Sequence, residues 1–586
     1  MNKKDLILNI LLFISQIIVF YYFFCYLFPF KEQLQMFQFT SQYLTETLKQ
    51  AGGVAIYISE FLSQFYVVFW TGPIISALLL TLVALLSSLI LKKINSRNDL
   101  PLIFLLPWLS LLIISLDYDY YEQGTIAYLF LLLFLWLYTN IKTRIKFIYG
   151  ICIIPILYGI AGPIVHLFAI SALFFEFLTN GKKKYISIIY LLIAALSAIA
   201  GTYLGYSRNL TLAFLPEAYC NPLQTVSGIY YAWYALPMTM LLVAYLKRYK
   251  EPVSLKGKCI WEGAQWAIMF LLVYQGIFHF GKLDAQHSMK QDYLLRTEQW
   301  DLVISEFNHD VLSKRRMCGL NLALAHKGQL SERLLDYPQH GIETLMLHWD
   351  QSIYTAQLHS DLYYCMGIIS AAQKFAFEAF VSSRSSGNPR MLKRLIETNL
   401  ITGSYPIADK YIQLLEKTWF YKDWATAHRR FLYNDKAVEE DKILGMKRRC
   451  WKAEASAAKL YTDPVSSLIN LLPACPDNKA GLAYLTSFLL LNKDIETYKT
   501  LQESLYRSPA WRDMTECQQE AIVICSPNDP HFWLKHGVSI KVRNRAIAFM
   551  QKVQDVSRSG QNLAVALASE YGKTYWYYYM FNMMDK

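Results

Sequence analysis

Apolar residues fill the first half of the chain in long unbroken runs, whereas in the second half they recur every three to four positions between polar ones. The first pattern predicts helices apolar on every side, and the second predicts amphipathic helices with one wet face. A segment in hydrocarbon must satisfy its own backbone hydrogen bonds and fill about 30 Å, which takes close to 20 mostly apolar residues as helix. Nine segments meet or approach that standard: 6–27, 67–91, 101–116, 125–141, 147–160, 163–178, 185–204, 229–246 and 264–280. The fifth and sixth are short and meet at Ala161-Gly162-Pro163, as a tight hairpin or a broken pair. The expected fold class is all-α: a polytopic transmembrane helix bundle of about nine spans over residues 1–281, then an extramembrane helical domain over 282–586. Between the first two runs, Leu34, Phe37, Tyr43, Leu44 and Leu48 and then Ile58, Phe61 and Phe65 predict two amphipathic helices lying at the membrane surface.

Charge divides the chain in the same way. Of 57 Lys+Arg and 45 Asp+Glu, residues 1–281 hold 19 and 12, leaving 38 and 33 for the rest, so the two halves are built for different solvents. Basic residues of the tail mix with acids and form no stripe, which excludes a nucleic-acid surface. Lys and Arg are retained on the cytoplasmic side of a membrane. With nine spans and the N-terminus inside, 16 of the 19 fall inside, among them Lys92, Lys93, Lys142, Lys182, Lys183, Lys184 and Lys250, and only Lys31, Lys49 and Arg208 fall outside. The tail is then extracytoplasmic. The start, Met1-Asn2-Lys3-Lys4 before an apolar run, has no small-residue cleavage site and is read as a retained anchor. The ten cysteines include no CxxC pair and point neither to a disulfide scaffold nor to zinc.

From Met289 onward the period is 3.6. Gly403-Ser-Tyr405-Pro-Ile-Ala408, followed by Tyr411, Ile412, Leu414 and Leu415 and preceded by Met391, Leu392, Leu395 and Leu400, resembles the turn and helices of a tetratricopeptide repeat. Gly328-Gln329-Leu330 and Leu482 to Leu505 resemble degenerate copies. A helical-hairpin solenoid of tetratricopeptide-like type follows, a form that commonly binds protein segments on its concave face. Through Leu116-Asp117-Tyr-Asp119-Tyr and Glu397-Thr-Asn-Leu-Ile-Thr-Gly403-Ser-Tyr405, the arrangement is similar to an uncharacterised family of bacterial polytopic inner-membrane proteins with a tetratricopeptide-like periplasmic tail. The resemblance implies an inner-membrane location and a periplasmic tail, and it brings no reaction.

Candidate chemistry centres on Asp117-Tyr118-Asp119-Tyr120-Tyr121-Glu122, just past the third apolar run on the external side. Three carboxylates with no basic residue nearby suit a divalent cation or a general base, with Asp117 and Asp119 as catalytic candidates and Glu122 as a binding candidate. His166, four residues into the sixth run, is a second binding candidate, because a polar side chain in hydrocarbon normally faces the bundle interior. Membrane glycosyltransferases that use polyprenyl-phosphate sugars have a related design. This chain departs from them, since its first loop offers Glu32, Glu46 and Glu60 without a paired acidic motif and the acidic cluster falls one external loop later. The leading expectation is an envelope protein that contacts the lipid bilayer, requires no cofactor or bound metal, and uses its tail to bind an extracytoplasmic protein in cell-envelope biogenesis or transport. The alternative is a transferase acting on a polyprenyl-linked sugar, the one case in which a divalent cation enters.

Overall fold

A computed structural model describes residues 3–97, 100, 102–179, 186–221, 226, 228–249, 254–306, 313–384, 387–455, 463–505 and 514–582. Lys182 to Lys184 and Lys250 lie outside the described residues. The described residues contain helices and no strand, apart from one isolated antiparallel bridge between Tyr120 and Cys220. They separate into two compact units, 1–289 and 290–586.

Among the described residues, fourteen α-helices begin in the first unit: α1 (Lys3–Phe23), α2 (Leu27–Glu32), α3 (Ser41–Leu48), α4 (Gly53–Ser63), α5 (Thr71–Ile94), α6 (Leu106–Ser115), α7 (Glu122–Asn140), α8 (Thr143–Ala161), α9 (Ile164–Leu178), α10 (Ile189–Tyr203), α11 (Leu210–Phe214), α12 (Ile229–Leu246), α13 (Leu255–Phe280) and α14 (Leu283–Arg296). All nine apolar runs coincide with helices. Four of these, α1, α5, α7 and α12, are long and apolar enough to cross a membrane, and α13 joins them when counted with α14, from which it is bent by 56°. The helices at the third, fifth, sixth and seventh runs are apolar but shorter. Gly162 adopts a left-handed φ of +80°, and α8 and α9 pack against each other on either side of it.

Two ion pairs lie near the ends of these helices. Asp5 on α1 meets Lys92 on α5 at 2.7 Å. Glu176 on α9 meets Lys146 on α8 at 2.7 Å and also accepts the Tyr138 hydroxyl at 3.2 Å. Helix contact elsewhere relies on small residues opposite large ones. A side chain at Gly150 on α8 would strike the Tyr190 ring of α10 at 2.4 Å, and one at Gly201 on α10 would strike the Tyr158 ring of α8 at 2.3 Å. Two rings thus fill two reciprocal gaps.

The loop between α1 and α5 differs from the amphipathic pair expected at a membrane surface. Both helices form, but α4 packs on α7 and α8 and buries Ala55, Ile56, Ser59 and Glu60. The joint is backbone-tight: the Gly52 N–H donates to the Tyr158 and Gly159 carbonyls, at 3.2 and 3.1 Å. Gly52 has φ +78°, and a Cβ there would lie 3.0 Å from the Ala161 backbone, so neither its conformation nor its contact tolerates a side chain.

In the second unit, helices Ile353–Met366, Ile369–Ser382, Pro389–Thr402 and Tyr405–Glu416 each pack on the next. Gly367 and Gly403 end two of them in left-handed conformation, and Ala408 is fully buried where the last two meet. Asp361 holds Arg390 at 2.5 Å and Arg394 at 3.0 Å, tying the first helix of the series to the third. Burial pushes the Asp361 carboxyl up, and the two guanidiniums outweigh it, so the group lies below the usual carboxylate range.

The Gly201→Val chain is expected to lose about 1–3 kcal/mol of stability, and Tyr158→Leu in the same chain to restore part of that loss. Thermal unfolding in detergent checks this, and strictly additive losses would overturn the reciprocal packing.

Candidate functional site

The acidic segment is the turn from α6 into α7. α6 ends with the Asp117 N–H donating to the Ile114 carbonyl at 3.1 Å. The Asp119 N–H then donates to Asp117 Oδ1 at 2.9 Å, a side chain to backbone bond of the kind Asp supplies in turns. The segment before α12 lies alongside. The Tyr121 N–H donates to the Tyr219 carbonyl, the Asn221 N–H to the Asp119 carbonyl, and Asn221 Nδ2 to Asp119 Oδ1, each at 2.9 Å. The Tyr219 hydroxyl in turn donates to the Ala161 carbonyl at 2.5 Å and accepts the Ile164 N–H at 3.1 Å, joining the same segment to the α8–α9 turn.

Tertiary structure corrects one premise drawn from sequence, that no basic group stands near the carboxylates. Lys282, between α13 and α14, brings its ammonium to 2.8 Å from Asp117 Oδ1 and 3.1 Å from Asp119 Oδ2, and to 4.2 Å from the Tyr118 ring centre. Lys282 has φ +41°, an uncommon conformation for a residue with a side chain, at the bend itself. Burial lowers its pKa, and the hydrogen bond and charge of Asp117 with the charge of Asp119 outweigh that effect, leaving it raised. Lys31, on α2, is also buried and donates to the Ser115 carbonyl at 2.9 Å. Burial dominates there and lowers its pKa against the opposing charges of Glu122, Asp117 and Asp119. Burial likewise pushes the Cys220 thiol up to about 12, with the two aspartates adding to it.

Asp117, Asp119 and Glu122 are all buried, and Asp119 exposes no surface. Glu122 starts α7, and its Oε1 has no hydrogen-bond partner among the described residues. His166 lies on α9 with its ring stacked on Phe214, centres 4.8 Å apart and planes 10° apart, and its Nε2 is buried without a hydrogen-bond partner among the described residues. Of the first-loop glutamates, Glu32 accepts from Gln33 and Glu60 from the Tyr43 hydroxyl, both buried, while Glu46 is exposed and accepts from Gln42. Among the described residues no three His, Cys, Asp or Glu side chains are grouped to hold a metal ion. The positive charge between Asp117 and Asp119 is the Lys282 ammonium.

The second unit holds a cleft of about 550 Å³ that includes Tyr337, His340, Lys573, Tyr577 and Phe581 in its lining. One wall is the irregular stretch 335–341, and the other is the last helix, Tyr575–Phe581, with the turn before it. That helix is anchored by Glu520, which accepts the Tyr575 N–H at 2.7 Å, while Trp576 Nε1 donates to the Glu520 carbonyl at 3.0 Å. Burial pushes the Glu520 carboxyl up to about 7. Neither the cleft nor Lys282 is visible as a motif. The one sequence signal for Lys282 is a basic residue immediately after the last apolar run.

Lys282→Met is expected to cost about 3 kcal/mol, the low end for a buried pair because a third of the Lys282 side chain reaches solvent. Adding Asp117→Asn and Asp119→Asn should recover part of the loss in the same detergent melt, and no recovery would separate Lys282 from the carboxylates. Glu520 gives a pH signature. Its folded pKa lies above the unfolded one, so the folded tail binds more protons between pH 4.5 and 7, and stability falls as pH rises through that window. Glu520→Gln is expected to flatten this dependence in tail melting curves, and an unchanged slope would assign it to another group.

The family model of a family of unknown function, DUF6057, matches residues 2–582, and the chain belongs to that family. No curated protein and no solved structure matches the chain.

Proposed function

We propose that this member of the DUF6057 family is a polytopic inner-membrane protein whose extracytoplasmic, tetratricopeptide-like tail binds a protein partner in cell-envelope biogenesis or transport. Support for the membrane comes from four helices of spanning length and apolarity, a fifth bent helix and four shorter apolar ones, together with the Lys and Arg bias of the intervening loops. Nine crossings with a cytoplasmic N-terminus give that bias its cleanest form. The tail's successive packed helices, with glycine at the turns and Ala408 at a close approach, support the repeat reading.

One contrast carries the choice of binding over catalysis. The most acidic external turn is closed, with its aspartates buried against Lys282 and Asn221, while the tail offers an open cleft with aromatic and charged walls. Aromatic rings with polar tips bury large contact areas at little entropic cost, and they suit recognition of a protein segment.

A second reading is favoured by Glu122, whose buried Oε1 lacks a hydrogen-bond partner among the described residues. Under it the chain transfers sugar from a polyprenyl phosphate, Asp117 or Asp119 acts as base or divalent-cation ligand, and Lys282 must leave the pair first.

Cross-linking in intact cells followed by purification distinguishes the two. The Lys573→Glu/Phe581→Ala chain is expected to lose the partner captured by the native chain, at least tenfold, while keeping its melting curve. Asp117→Asn/Asp119→Asn is expected to keep both the partner and the envelope glycan profile. A changed glycan profile from a folded Asn variant overturns the binding reading in favour of the transferase.

A further inference from the structure

Cys450 and Cys475 are 25 positions apart, and their sulfurs stand 2.7 Å from each other. Cys450 lies on the helix Lys442–Ala455, and Cys475 in the turn that follows Pro464–Leu471. Both are buried in a small apolar cluster with Leu471 and Met446. The surrounding chain is held by contacts that owe nothing to the sulfurs. The Cys475 N–H donates to the Leu471 and Leu472 carbonyls, both at 3.1 Å, and the Asn478 N–H to the Cys475 carbonyl at 3.0 Å. Asn478 Nδ2 reaches the Met366 carbonyl at 2.8 Å, and Arg449 pairs with Asp477 at 2.9 Å across the same turn. The fold therefore presents one sulfur to the other.

As thiols, two sulfurs this close can only share a proton along one S–H···S contact. That contact favours the thiolate of Cys475, lowering its pKa. The buried ammonium of Lys447, one turn before Cys450, adds to the same tendency while it donates to the Cys365 carbonyl at 2.9 Å. A covalent bond is the remaining way for two buried sulfurs to occupy this space.

We propose that Cys450 and Cys475 form a disulfide in the mature protein, stapling the helix Lys442–Ala455 to the turn at 472–477. The proposal rests on the extracytoplasmic reading of the tail, because disulfides persist in oxidising compartments. The oxidant is a disulfide-bearing oxidoreductase acting by exchange. The Cys475 thiolate attacks its disulfide and expels one thiolate, giving a mixed disulfide. The Cys450 thiolate then attacks the Cys475 sulfur and expels the second thiolate, so two protons leave the substrate thiols and two electrons reside on the oxidoreductase's dithiol. Exchange precedes docking of the turn, since both sulfurs are buried afterwards. The staple closes a loop around the helix Pro464–Leu471, and it disfavours the unfolded tail by shortening its free chain.

The test uses the full chain, extracted from membranes into denaturant with N-ethylmaleimide and no reductant, and mapped by mass spectrometry. The expected result is one linked peptide pair containing Cys450 and Cys475, which separates on treatment with dithiothreitol. The intact chain in detergent should also melt several degrees lower when reduced, and the Cys475→Ser chain should melt at that lower temperature with or without reductant. Both cysteines alkylated at extraction would overturn the proposal. Oxidised glutathione added to the purified chain in enough denaturant to expose both sulfurs, followed by refolding, then identifies the failed premise. If it closes the bridge, the pairing is sound and the extracytoplasmic reading fails. If it does not, the pairing itself fails.

Discussion

The end of the first unit that holds the acidic turn is organised by one electrostatic constraint: Asp119 is fully buried, and a buried carboxylate requires a cation and hydrogen-bond donors. Lys282 supplies the cation and Asn221 Nδ2 a donor to the carboxylate, while the Asn221 N–H holds the main-chain carbonyl of the same aspartate. Together with Asp119 itself, these partners come from three separate stretches of chain. Meeting the needs of one carboxylate therefore fixes the α6–α7 turn, the segment before α12 and the bend between α13 and α14 together. Lys31 adds a second cation, this one buried, from α2, so the cluster also engages the loop between α1 and α5.

Similar reasoning applies at the other end of the same helices and in the tail. Asp5 with Lys92, and Glu176 with Lys146, pair charges that would otherwise lie unmatched beside apolar surface. In the tail, Asp361 sits between Arg390 and Arg394, and the Arg394 guanidinium also lies over the Tyr364 ring at 3.6 Å. Removing one member of such a set leaves the others buried and uncompensated, so each group acts as a unit. Between the charged groups, shape decides: Tyr190 and Tyr158 fill gaps that exist only because Gly150 and Gly201 have no side chain.

The two candidate sites differ in what they leave free. The acidic turn spends its polar groups on its own structure, apart from the Glu122 oxygen that has no hydrogen-bond partner among the described residues. The tail cleft keeps aromatic and charged groups on open walls, and one wall depends on Glu520, a carboxyl whose burial raises its pKa to about 7. One wall of the cleft thus rests on a titratable anchor in the near-neutral range.

By itself the sequence determined where helices form and that the chain has two halves of different polarity, because hydrophobic periodicity is a local property. The turns at Gly162 and Gly403 were legible for the same reason, as left-handed positions that glycine fills at little cost. It also marked Asp117, Asp119 and Glu122 as a dense acidic group. Only the tertiary structure decided what these groups do, since Lys282 lies 163 residues beyond Asp119 and nothing in either neighbourhood points to the other. The insertion of α4 against α7 and α8, the Cys450–Cys475 contact and the tail cleft are hidden in the same way. A charge or a thiol carries its chemistry in the sequence, but its partner depends on where the folded chain returns.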